Sequence, residues 1–99
     1  MQIELPADIT DKISDRCIRC YKEQYWYGEN YLFDLIKERD LKKTKILEIG
    51  CAEGGLLKFF HEKGAECSGV ELSDVRYGNA IMLDTNKLIN FFQADICNP

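Results

Sequence analysis

The chain has 99 residues, 45% hydrophobic and 30% charged, with a formal net charge of -4. That is enough for one small globular domain of ordinary composition. The acidic balance excludes a sequence-independent nucleic-acid binder, which needs a basic stripe to displace counterions from phosphate, and no apolar run approaches the roughly 20 residues that span a bilayer.

Thr10 or Asp8 is the candidate cap of a first helix. Ile9, Ile13, Cys17, Tyr21 and Tyr25 follow at a spacing of four, which is one helical face. Gly28 is expected to break that helix. Asn30 is a candidate cap for a second one from about Tyr31 to Arg39, with Leu32, Leu35 and Ile36 inward. Lys45 to Ile49 reads as a short buried strand. The turn Gly50-Cys51-Ala52-Glu53-Gly54-Gly55 follows, then a helix through Leu56, Leu57, Phe59, Phe60 and Lys63 that Gly64 ends. Glu66 to Glu71 predicts a second strand. Ser73 or Asp74 caps a helix to about Asn86, and Ile89 to Ala94 predicts a third strand. The expected organisation is a helical segment over residues 1–44 and a cofactor-binding β-α-β-α-β half domain over residues 45–99.

This alternation predicts right-handed crossovers and a parallel sheet, with a ligand beyond the carboxyl ends of the strands. Three segments meet there: Gly50 to Gly55, Glu71 to Ser73, and Asp95 to Ile96. The glycine turn lets a ligand approach the backbone, and Glu71, 21 residues after Gly50, is placed to accept hydrogen bonds from ribose hydroxyls. Asp95 is placed to meet an exocyclic amine. Read as G-x-G-x-x-G, the turn gives Gly50, Ala52 and Gly55, a dinucleotide fingerprint with a methyl where pyrophosphate comes closest. Glu48 is an acid in an otherwise apolar strand. A cofactor with a cationic ammonium or sulfonium gives it a reason to be there.

Ile46 to Gly54 resembles the first motif of class I S-adenosylmethionine-dependent methyltransferases, Gly69 to Ser73 their second, and Phe92 to Ile96 their third. The resemblance covers Lys45 to Pro99, and Ala52 stands where that family usually has glycine. It implies the N-terminal half of a Rossmann-like, doubly wound parallel sheet of about three strands, preceded by two helices. It further implies S-adenosylmethionine as cofactor. Glu48, Gly50, Cys51, Ala52 and Gly54 would hold the methionine end, Glu71 the ribose and Leu72 the adenine face, with Asp95 and the Ile96 backbone reading the adenine edge. The alternatives are an NAD(P)-dependent oxidoreductase fragment and a non-catalytic binding or assembly module. The resemblance places a fourth strand beside the first. The chain is therefore expected to be truncated, catalytically incomplete and prone to self-association through the first-strand edge. The methyl acceptor and the catalytic residues stay unassigned.

Five cysteines (Cys17, Cys20, Cys51, Cys67 and Cys97) without a secretory signal predict free thiols in a reducing, cytoplasmic setting. Cys17 and Cys20 form an isolated CxxC. With no second cysteine pair and one histidine, His61, no metal site is expected. The aromatic run Tyr21, Tyr25, Trp26, Tyr27, Tyr31 and Phe33 has two readings: packing of the early helices onto the sheet, or a lid with Trp26 and Tyr27 at its tip.

Overall fold

Lys45–Ile49 (β1), Glu66–Glu71 (β2) and Asn90–Gln93 (β3) lie parallel in the order β1-β2-β3. The computed structural model describes residues 3–98, so Pro99, the last residue of the motif-bearing half, lies outside the described residues. Parallel neighbours need crossovers, supplied by helix α4 (Gly55–Glu62) and helix α5 (Asp74–Leu83). The α/β half-sheet anticipated from the motifs is what forms among the described residues. No helix among them is long and apolar enough to cross a membrane.

The register puts Ile46 beside Cys67 and Glu48 beside Gly69, with Gly69 beside Phe91. This face carries the core, where Tyr25, Leu57, Phe59, Phe60 and Cys67 are buried together. The period of two sends Leu47, Ile49 and Phe92 to the other face, where each is at least half exposed. The expectation of a buried first strand is thus corrected: β1 is covered on one face only.

The N-terminal segment departs most from its reading. The stripe from Ile9 to Tyr25 spans two helices, α1 (Ala7–Thr10) and α2 (Asp15–Tyr27). Ser14, not Thr10 or Asp8, caps the long one, accepting from the Cys17 N–H at 3.2 Å. Gly28 breaks nothing: its φ is -58°, and the chain continues through a π-helical turn, Gly28–Leu32, into α3 (Phe33–Ile36). A Cβ at Gly28 would stand 3.3 Å from the Phe59 ring, so this glycine serves close packing on α4. Asn30 caps no helix; its amide donates to the Trp26 carbonyl at 2.9 Å. Leu35 points to solvent, 78% exposed, because α3 lasts a single turn. Helix α5 stops at Leu83, short of Asn86. The Asp84 carboxylate there accepts from the N–H groups of Leu88 and Ile89, both at 3.0 Å, and turns the chain into β3.

Candidate functional site

The loop from β1 to α4 is shaped by residues in the left-handed region. Gly54 caps α4 at φ +87°, and a Cβ there would meet the Phe91 ring at 2.7 Å. Ala52 takes φ +51°, a conformation that costs a side-chain-bearing residue on the order of 1 kcal/mol. Five of the six N–H groups from Gly50 to Gly55 are bonded within the protein. Those of Gly50 and Cys51 donate to the Val70 carbonyl at 2.7 and 3.0 Å, and that of Gly54 to the Cys51 carbonyl at 2.9 Å. The Ala52 N–H donates to the Glu71 carboxylate at 2.7 Å, and the Gly55 N–H to the Gln24 side-chain oxygen at 3.0 Å.

Glu71 joins two of the three ligand-edge segments. One carboxylate oxygen holds Ala52, and the other accepts from the Ser73 N–H at 2.9 Å. Each oxygen keeps acceptor capacity for a ligand. Gly50, Glu71, Leu72, Asp95 and Ile96 line one open cavity of about 190 Å³ beyond the strand ends. Leu72 and Ile96 present more than half of their surface. The Asp95 carboxylate accepts from the Cys97 N–H at 2.9 Å, which fixes the loop after β3.

The remaining sequence-predicted residues lie elsewhere. The Cys51 thiol is buried against the Gly69 backbone position and is no part of that cavity. Burial, with Glu48 and Glu71 adding to it, pushes this thiol up to about 12, so it stays protonated. Ala52 is buried, and Gly54 faces Phe91. Glu48 lines a second cavity, about 400 Å³, between α2 and the start of α4, with Glu23, Tyr27 and Arg76 among its walls. One Glu48 carboxylate oxygen is buried without a hydrogen-bond partner among the described residues. Burial, with the neighbouring Glu71 adding to it, raises its pKa to about 7. His61 sits in the last turn of α4 and lines neither cavity.

Sequence reasoning missed three residues that tie this site together. Glu53 is fully buried. The Gln24 amide donates to one of its oxygens at 3.0 Å, while Arg76 Nε stands 3.5 Å from the other, an ionic contact too long for a good hydrogen bond. Gln24 and Glu53 are 29 positions apart, and no local pattern announces such a pairing. The early aromatic residues divide between core and surface. Tyr21 and Tyr25 are core, and Phe33 packs edge-on against Phe59, whereas Trp26, Tyr27 and Tyr31 are each about half exposed.

No protein-family model matches the chain, and no curated protein does. Solved structures do. The PH0226 protein from Pyrococcus horikoshii superposes with a TM-score of 0.64 at 23% identity, over 89% of this chain and 37% of its own. An S-adenosylmethionine-dependent methyltransferase from Mesorhizobium loti gives 0.54 at 21% identity, over 69% of this chain and 33% of its own. The fold is that of the S-adenosylmethionine-dependent methyltransferases. The plantazolicin methyltransferase BpumL, solved in complex with a monoazolic desmethylPZN analog and SAH, has it too, with a TM-score of 0.53 at 23% identity over 93% of this chain and 35% of its own. The chain therefore spans about a third of the length of these methyltransferase-fold neighbours.

Proposed function

We propose that the chain is the cofactor-binding part of an S-adenosylmethionine-dependent methyltransferase. The observation that carries this reading is Glu48, which lines a cavity beside the glycine loop and keeps one buried oxygen without a hydrogen-bond partner among the described residues. Such a carboxylate is costly alone and is answered by a cation. S-adenosylmethionine carries an ammonium and a sulfonium, and when bound it supplies an activated methyl group. In this reading Glu48 takes the ammonium, while the backbone of Gly50, Ala52 and Gly54 borders the methionine tail. Glu71 accepts from the ribose hydroxyls, Leu72 packs on adenine, and Asp95 with the Ile96 backbone meets the adenine edge. The loop's internal hydrogen bonds support the same choice over a dinucleotide. A pyrophosphate needs free N–H donors at the helix entrance, and here Gln24 already holds that of Gly55. Five free cysteines fit a cytoplasmic setting for the chain.

We further propose that the chain self-associates along β1, whose outer edge is unpaired among the described residues and whose Leu47 and Ile49 are exposed.

Calorimetric titration with S-adenosylmethionine, with NAD in parallel, tests the cofactor reading. Saturable binding of the first, weakened by Glu48→Gln, is the expected result. Binding of NAD alone would overturn the reading in favour of an oxidoreductase.

A further inference from the structure

We propose that the cavity between α2 and the glycine loop, with the aromatic strip at its mouth, binds a small planar molecule bearing a cationic amine. Glu23 and Glu48 bring two carboxylates to the cavity wall. Among the described residues Arg76 is the one basic lining residue, and its guanidinium faces the fully buried Glu53, which neutralises it. The cavity is thus left with acidic character. Tyr27 adds an aromatic ring to the same wall and continues outward: its ring lies 5.1 Å from that of Tyr31, which meets Trp26 edge-on at 5.4 Å. All three rings are about half exposed, although the core lies one helical turn away. They sit where α2 passes into the π-helical turn, an irregularity often found at functional sites. A carboxylate beside an aromatic face is the chemistry that holds an organic cation. At about 400 Å³ the cavity exceeds what an amino-acid tail at Glu48 fills, which leaves Glu23 and the strip for a second molecule. In the methyltransferase reading this is the acceptor side of the site. The cation preference rests on that reading only for this assignment.

Trp26 is the single tryptophan of the chain, so its fluorescence reports on this strip alone. The full chain is titrated with 2-phenylethylamine, with 3-phenylpropanoate as the anion of matched shape and butylamine as the cation without a ring. A saturable change with 2-phenylethylamine is expected, with about tenfold weaker response to either comparator. Glu23→Gln, at an exposed position, is expected to weaken binding about threefold or more, and Tyr27→Leu likewise, with circular dichroism unchanged. Equal or tighter binding of 3-phenylpropanoate overturns the proposal. So does the absence of saturation with 2-phenylethylamine, or unchanged affinity in both variants. Repeating the titration with S-adenosylhomocysteine separates the two readings: if that nucleoside fails to bind while 2-phenylethylamine saturates, only the cofactor reading falls.

Discussion

The side-chain amide of Gln24, on α2, donates to the fully buried carboxylate of Glu53 at 3.0 Å, while its oxygen accepts from the Gly55 N–H at 3.0 Å. One side chain thus satisfies one oxygen of a buried acid and the first N–H of α4. Helix α2 is by this means a wall of the site. Gln24→Ala removes both bonds and leaves Glu53 with the 3.5 Å contact to Arg76. We expect a loss of about 2–3 kcal/mol in urea unfolding, because the cost is that of unsatisfied buried groups. A loss below about 0.5 kcal/mol would mean that water replaces the amide.

Gly55 is where α2 rests on α4. A Cβ at this position would stand 2.0 Å from the Tyr21 carbonyl oxygen and 2.9 Å from Gln24 Cβ. Backbone cannot yield that far without moving the helix. Gly55→Ala is expected to cost more than about 3 kcal/mol and to raise hydrogen exchange throughout α2. Native-like protection of Tyr21 and Tyr25 in the variant would contradict the close approach.

Ala52 invites the opposite change. Its φ of +51° suits glycine, which visits the left-handed region freely. Ala52→Gly relieves strain but loosens the unfolded chain, so the net gain is expected to be small, about 0.5 kcal/mol. Thermal unfolding reads it directly. A fall in Tm would show that the buried methyl contributes more packing than its backbone costs.

Glu48 sets a pH dependence. Its folded value, about 7, lies above the ordinary 4.5, so the folded state holds the proton more tightly. Its contribution to stability is greatest below about pH 4.5, falls between there and about pH 7, and is level above. Screening at this partly buried residue limits the fall to about 1–2 kcal/mol. Glu48→Gln should flatten that part of the urea-unfolding profile. A cationic ligand pairs with the ionised form, so its affinity should rise as pH increases through about 7, with Glu71, Glu23 and Arg76 as the neighbouring charges. Affinity independent of pH across that range would remove Glu48 from the ligand's charged contacts.

The open side of β1 predicts concentration-dependent association in sedimentation velocity. Leu47→Lys, which puts a charge on the exposed face of an edge strand, should shift the chain toward monomer. A monomer at all concentrations for the unmodified chain would sink the proposed association.

The sheet was legible because its signals are local. Lys45 to Ile49 is a short apolar run closed by Gly50, Glu66 to Glu71 is a short run between Gly64 and the Ser73 cap, and both strands keep those bounds. Gly64 ends α4 and Ser73 caps α5 for equally local reasons, a left-handed backbone and a side-chain acceptor. The grouping of Gly50, Glu71, Leu72, Asp95 and Ile96 also followed, since parallel strands bring their carboxyl ends to one edge. What failed was reading helix ends from spacing alone. Ile9 and Ile13 keep a helical interval across a break that Ser14 creates, and Gly28 looks like a terminator when viewed without Phe59.

By itself, then, the sequence determined the alternation of strands and crossover helices from Lys45 onward. Period, capping and turn chemistry act between residues a few positions apart. Tertiary structure alone decided that Glu53 is buried and held by Gln24, that Glu48 keeps an oxygen unpartnered among the described residues, and that Tyr27 lines the same cavity as Glu48. Those facts depend on α2 folding back across α4, a contact between distant segments whose partners are chosen by packing and desolvation rather than by any neighbouring residue.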